Sequence, residues 1–206
     1  MIVTELTEVS KGRYKVYIDQ EFAFVLYKGE LRLYKLAEGQ EISEAVYNEI
    51  MRTVLPKRAK LRAMNLLQKR QYTERQLIDK LKEGFYPEEI IAEAVLYVKS
   101  YRYLDDLQFA VDYITYHETS KSERKMTCDL LQKGIAGETI KQAFEEWRAL
   151  GGKQNEEEMI SELLEKKHYS PGCNQKEKQR IYAFLLRKGF SMENVNKVLS
   201  GFDTFA

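Results

Sequence analysis

The residues of this 206-residue chain that suggest a chemistry are basic ones at recurring positions, and the chemistry is the holding of a polyanion. Between Lys57 and Lys82 stand nine basic residues (Lys57, Arg58, Lys60, Arg62, Lys69, Arg70, Arg75, Lys80, Lys82) against two acidic ones, Glu74 and Asp79, although the whole chain has a net charge of only +1. Further on, Arg75, Lys125 and Arg180 each lie nine residues before a glycine, with Arg124 beside Lys125 and Lys188 directly before the last of those glycines. Set on equivalent helices, Arg75, Lys125 and Arg180 would form one basic side suited to a linear charged partner. The candidate binding residues are therefore these five and the cluster Lys57, Arg58, Lys60, Arg62, Lys69 and Arg70. The plainer reading is that long basic side chains cover solvated helix faces.

Other chemistry finds little support. Asp105-Asp106 falls between two helical patterns, where a carboxylate caps a helix start and favours its dipole. No glycine is followed by Lys-Ser or Lys-Thr, so no phosphate loop is present. His117 and His168 belong to no nucleophile motif and read as polar residues at helix ends. Cys128 and Cys173 read as a small core thiol and a loop thiol, too few with two histidines for a zinc framework. The expectation is a protein that is not an enzyme, with no catalytic residue, metal or cofactor.

The elements that must position the basic residues repeat three times. Leu81-Lys-Glu-Gly84-Phe85, Leu131-Gln-Lys-Gly134-Ile135 and Leu186-Arg-Lys-Gly189-Phe190 each place a glycine where a left-handed backbone closes a helix. Each is followed at the same distance by a branched apolar residue, Ile90, Ile140 or Val195. Upstream, Thr73-Glu-Arg-Gln76, Ser120-Lys-Ser-Glu123 and Asn174-Gln-Lys-Glu177 read as capping boxes that open the same helices. The helix before each box is amphipathic, with Ala63 and Leu67, Ala110 and Ile114, and Ile160 and Leu164 as core positions. Pro87, Gly137 and Met192 begin the third helices. The glycines are fifty and fifty-five residues apart, room for three helices per repeat, and such units stack into an elongated, curved solenoid.

The opening segment has a different period. Ile2-Val3, Tyr14 to Ile18 and Phe22 to Tyr27 are short β-branched and aromatic runs broken at Gly12 and Asp19-Gln20, the pattern of a three-stranded meander. Glu30 to Lys35 and Ser43 to Leu55 supply helices for it to pack on, Ser43 serving as N-cap, and Pro56 marks the start of the repeats. The fold expected is mainly α, with a small β segment at 1–40, a linker helix and repeat 1 at 41–106, repeat 2 at 107–152 and repeat 3 at 153–206. The change of period predicts that the repeats keep their helices without the β segment. Nothing approaches the roughly 20 apolar residues of a membrane span, and the start lacks the basic and apolar regions of a signal peptide, so a cytoplasmic location and no membrane partner are expected.

Leu66-Leu67-Gln-Lys-Arg70-Gln-Tyr72-Thr73, Leu77-Ile-Asp-Lys-Leu81-Lys-Glu-Gly84-Phe85, Tyr103-Leu104-Asp105-Asp106 and Phe109-Ala110-Val-Asp-Tyr113 resemble, in order and spacing, the RecX regulatory family of bacteria. Lys133-Gly134-Ile135 falls where that family's second repeat carries the same tripeptide, and the resemblance extends from about Lys60 to Phe202. This sequence has Arg102 and Ser122 where the family carries glycine. The resemblance implies a non-enzymatic modulator of the RecA recombinase that binds the RecA filament on single-stranded DNA. It would inhibit filament assembly, ATPase, strand exchange and co-protease activity. The partners implied are the RecA filament, with single-stranded DNA beside it, and the protein is expected to act as a monomer. The residues by themselves also allow a stand-alone nucleic-acid-binding helical-repeat protein whose basic side contacts phosphates directly.

Overall fold

The computed structural model describes residues 1–170 and 173–204; residues 171–172 and 205–206, within the span expected for repeat 3, lie outside it. The chain is mainly helical behind a small antiparallel sheet, and it divides into two compact units, Met1–Leu104 and Asp105–Ala206.

In the first unit, strands β1 (Val3–Ser10), β2 (Arg13–Ile18) and β3 (Glu21–Tyr27) form a meander in the order β1-β2-β3. The β2–β3 turn has positive φ at Asp19 (49°) and Gln20 (72°), the two-residue hairpin geometry that matches strand twist. Val16, Ile18, Phe24 and Leu26 turn one face inward, onto Leu31 of the short helix α1 (Lys28–Leu33) and onto Leu36, Ile42 and Ile50. Helix α2 (Glu44–Glu49) starts at Ser43, whose side chain accepts from the Val46 amide as expected.

Pro56 does not interrupt the chain. A π-turn at Ile50–Val54 leads directly into α3 (Leu55–Leu67), the Leu55 amide donating to the Ile50 carbonyl five residues back. Widening the helix before the proline accommodates a ring that would otherwise crowd the preceding turn. With α4 (Glu74–Lys82) and α5 (Glu88–Ser100), α3 makes the first three-helix repeat. Its core residues Ala59, Ala63, Leu66, Leu77, Leu81, Ile90 and Ala94 belong to the same buried cluster as the sheet's Val16 and Phe24. The change of period thus marks a change of local structure inside one core, which the first repeat shares with the β segment.

The second unit contains α6 (Asp106–His117), α7 (Glu123–Gln132) and α8 (Gly137–Ala149), then α9 (Glu156–Lys166), α10 (Gln175–Arg187) and α11 (Met192–Thr204). Asp105 caps α6, its Oδ1 accepting from the Leu107 and Gln108 amides at 3.0 Å each. Ala110, Ile114, Met126, Leu130, Ile140 and Trp147 fill one core, and Ile160, Leu164, Leu185, Phe190 and Val195 a second, smaller one. Trp147 Nε1 donates to Glu118 and Gln154 Nε2 to the Glu118 and Lys121 carbonyls, tying the link between the two repeats back to the end of α6.

Three local expectations are corrected. Gly134 and Gly189 take the left-handed conformation (φ 88° each), but in repeat 1 Phe85, not Gly84, takes it (φ 61°). Gly84 is constrained by space, since a Cβ there would lie 2.8 Å from the Tyr86 ring and 3.0 Å from the Leu81 carbonyl. The N-cap of α7 is Ser122 rather than Ser120, because Ser122 is also held from outside its helix: its amide and hydroxyl both donate to the Lys188 carbonyl. Cys128 is exposed on α7 and is no core thiol.

Candidate polyanion-binding surfaces

The caps and stops set the register between the repeats. Thr73 and Ser122, both fully buried, cap α4 and α7; Leu81 and Leu130 accept from the amides five residues on, of Tyr86 and Ile135; and Phe85 and Gly134 are the left-handed residues. Repeats 1 and 2 are therefore offset by forty-nine residues, one fewer than the glycines suggest. Arg75 stands in the place of Arg124, whereas Lys125 stands in that of Gln76 and, through Gly134 and Gly189, of Arg180. The three basic residues do not occupy one equivalent position, and alignment on glycine identity misses this because the left-handed residue of repeat 1 is a phenylalanine.

In the first unit much of the basic run is neutralised. Arg58 is half-buried, paired with Glu30 at 2.8 Å, donating to the Val25 carbonyl and lying over the Tyr27 ring, so it joins α3 to the sheet. Lys60 meets Glu93 at 2.7 Å, Arg75 meets Asp79 at 3.4 Å, and Lys80 and Lys82 meet Glu83 and Glu88. Lys57, Arg62, Lys69 and Arg70 are exposed and, among the described residues, have no carboxylate within ion-pair distance; Arg70 lies over the Tyr72 ring at 4.3 Å. The basic charge of this run without an ion-pair partner among the described residues reduces to these four.

In the second unit the fold gathers lysines that are far apart in sequence. Lys121 Nζ donates to the Tyr113 hydroxyl (2.7 Å) and to Asp129 (2.9 Å), Lys125 Nζ reaches Asp129 at 2.6 Å, and the Tyr113 hydroxyl donates to the same carboxylate at 2.8 Å. Lys133 lies over the rings of Phe109 and Tyr113. Lys188 arrives from the end of α10, because its carbonyl receives Ser122 and because the absence of a side chain at Gly189 lets the turn close on α7; a Cβ there would be 2.6 Å from that of Lys125. His117, its ring 4.4 Å from that of Tyr113 and tilted to it by 59°, sits within this group.

The electrostatics reflect the crowding. Burial opposes the charge on Asp129, but hydrogen bonds from Lys125, Lys121 and Tyr113 outweigh it and hold the carboxyl far below the usual range. Burial likewise disfavours the charged form of Lys121, yet its bonds to Tyr113 and Asp129 raise its pKa. Burial lowers the His117 imidazole, and the charges of Lys121, Lys188 and Lys133 act in the same direction against the opposing pull of Asp129. Four lysines and a histidine that resists a further positive charge make a place where an anion's negative charge would be stabilising. Of these residues the sequence reading names Lys125 and Lys188 as binding residues and omits Lys121 and Lys133, whose common neighbour is Tyr113. Arg124 is exposed one residue away on α7, and Arg180 is exposed on the first turns of α10. Among the described residues no group of three His, Cys, Asp or Glu side chains could hold a metal ion, and no helix is long and apolar enough to cross a membrane.

Three-helix repeats carrying basic, aromatic-backed surfaces define a helical-repeat protein, and comparison with known proteins gives its kinship. Residues 59–97 match the model of the first three-helix domain of RecX, and residues 155–199 that of the third. The chain is 32% identical over 202 residues to the regulatory protein RecX of Caldanaerobacter subterraneus, covering 97% of this chain and 99% of that one. It is 29% identical to the RecX of Bacillus velezensis, over 96% of this chain and 76% of the relative. A crystal structure of a regulatory protein RecX superposes with a TM-score of 0.59 at 23% identity over 97% of this chain and 98% of that one, and RecX from Lactobacillus salivarius with 0.57 at 21% over 73% and 98%. The chain belongs to the RecX family of regulatory proteins.

Proposed function

We infer that this protein is a negative regulator of the RecA recombinase that binds the RecA filament on single-stranded DNA. Bound there, it inhibits filament assembly, ATP hydrolysis, strand exchange and co-protease activity. Family membership supports the regulatory role, and the observation that carries the binding mode is the convergence of Lys121, Lys125 and Lys133 about Tyr113 and Asp129, with Lys188 near enough to act on His117. One carboxylate, Asp129, is shared by Lys121 and Lys125, so the group of Lys121, Lys125, Lys133 and Lys188 as a whole is assigned to the partner, with Arg124, Arg180 and the exposed set Lys57, Arg62, Lys69 and Arg70 as further contacts. Arg58, Lys60 and Arg75 have carboxylate partners and contribute less. The protein acts as a monomer in the cytoplasm and needs no cofactor.

The test is RecA-dependent ATP hydrolysis on single-stranded DNA with rising amounts of this protein. Hydrolysis should fall, and the combined change Lys125→Glu, Lys133→Glu, Lys188→Glu should relieve the inhibition with the helical circular-dichroism signal retained. Arg75→Glu should have a much smaller effect. No inhibition at saturating protein sinks the reading. The four unneutralised cations of the first unit favour a second one, direct nucleic-acid binding, which predicts an affinity falling steeply with salt and indifferent to RecA.

A further inference from the structure

At the end of α5 two exposed aromatic side chains, Tyr101 and Tyr103, adjoin a third, Tyr97, that is half-buried against the core. Tyr97 and Tyr101 lie one helical turn apart with ring centroids 5.1 Å apart, and Tyr103 stacks on Tyr101 at 5.8 Å with an interplanar angle of 15°. Tyr101 and Tyr103 are each 56% exposed, and neither hydroxyl makes a hydrogen bond among the described residues. The core takes nothing from these two rings; Leu104, directly after them, is the buried anchor.

The stack is imposed by the backbone. The helix closes with the Arg102 amide donating to the Lys99 carbonyl and the Tyr103 amide to the Val98 carbonyl, a reversal that needs a left-handed residue at position 102. Glycine takes that conformation freely, yet the residue is an arginine at φ 56°. The turn both folds Tyr103 back over Tyr101 and sets a cation between the two rings in the chain. Lys60 lies over the Tyr97 ring at 5.2 Å but is paired with Glu93, and Lys99 is paired with Glu74, so Arg102 is the cation assigned to the ligand.

We propose that Tyr101 and Tyr103, backed by Tyr97, form a stacking platform for unpaired bases of single-stranded DNA, with Arg102 meeting the adjoining phosphate. The near-parallel, exposed rings of Tyr101 and Tyr103 offer faces that any base can stack on, and a cation within the same turn suits the backbone that links bases. None of these residues belongs to the lysine group of the second unit, and the proposal does not depend on RecA.

The experiment measures fluorescence-anisotropy binding of a labelled oligothymidine of about 25 nucleotides and of an abasic phosphodiester of the same length, which keeps the charge and lacks the bases. The parent protein should bind oligothymidine about fivefold or more tighter than the abasic strand. Tyr101→Ala with Tyr103→Ala should erase that preference and leave abasic affinity unchanged, while Tyr101→Phe with Tyr103→Phe should retain it, separating loss of a ring face from loss of fold. Arg102→Gly should weaken both strands alike and reduce the salt dependence by about one phosphate contact. Equal binding of the two strands by the parent, or a preference that survives the alanine pair, overturns the proposal. So does an alanine pair that loses RecA inhibition with oligonucleotide binding intact, since the rings would then face a protein. Base-dependent binding without any RecA inhibition upholds the platform and sinks only the regulatory reading.

Discussion

The first and second repeats are built on one plan and use their charge differently. At equivalent places in the two middle helices stand Lys80 and Asp129. Lys80 bonds its near neighbour Glu83 on an exposed surface, whereas Asp129 is the common partner of Lys121, Lys125 and Tyr113. Local sequence charge is highest in the first repeat, yet carboxylates from the same and adjoining helices answer most of it there. In the second, lysines sparse in sequence converge because the end of α10 packs on the start of α7. Available charge is thus a property of tertiary arrangement, and the repeat that reads as less basic offers the denser site.

The largest expected effect tests whether the first repeat depends on the sheet. Phe24 is fully buried in the cluster that also holds Ala59, Leu77 and Ile90. Phe24→Ala should cost about 3–5 kcal/mol, the usual range for emptying a core aromatic site. Hydrogen exchange should accelerate throughout Met1–Leu104, α3 to α5 included, with Asp105 onward protected as before. Acceleration confined to the strands would restore the idea of a separable β segment and break the contrast between the two units.

A smaller effect separates the two kinds of helix stop. Gly189 is left-handed, and a Cβ would meet Ser122 Oγ at 2.5 Å and the Lys125 Cβ at 2.6 Å. Gly189→Ala should therefore cost about 1–2 kcal/mol from backbone conformation alone, with crowding in addition, and should disturb the lysine group. Gly84 is not left-handed, and its nearest obstacle is the edge of the Tyr86 ring, which can move; Gly84→Ala should cost less. Urea unfolding of the two variants gives the order, and a costlier Gly84→Ala would mean that the register between the repeats is misassigned.

That register shows where the sequence is legible and where it is not. The meander, the Ser43 and Thr73 caps, the Asp105 cap and the left-handed glycines at 134 and 189 are local features, written in residue types whose backbone preferences decide the outcome. Phe85 escapes because left-handed phenylalanine is costly, and only tertiary contact justifies it: its ring lies under Lys15 at 4.4 Å and against Phe22. Ser120 matches the capping-box pattern as well as any residue, but Ser122 prevails through Lys188, sixty-six residues away. Lys121 and Lys133 were invisible as a site for the same reason, since Tyr113 and Asp129 meet them only once α6 and α7 pack.

The smallest expected effect uses pH to divide the repeats again. Asp129 has a folded-state pKa below its unfolded value of about 3.9, so its contribution to stability is complete above that pH and is lost as pH falls through the lower, folded-state value. His117 is also lowered, from about 6.5, so the unfolded chain binds its proton first and stability declines as soon as pH drops below that value. The second unit should therefore weaken in two stages on acidification, His117 first and Asp129 second. Asp129→Asn should remove the second stage and keep the first, because losing the carboxylate takes away the one charge that raises the His117 pKa. The first repeat has Lys80 at the equivalent place and so no counterpart of Asp129. Urea titrations between about pH 3 and 7, read by hydrogen exchange in each unit, check this. If the variant and its parent lose stability in parallel at every pH, the bonds from Lys121 and Lys125 do not hold Asp129 ionised, and the lysine group must be arranged around something other than that carboxylate.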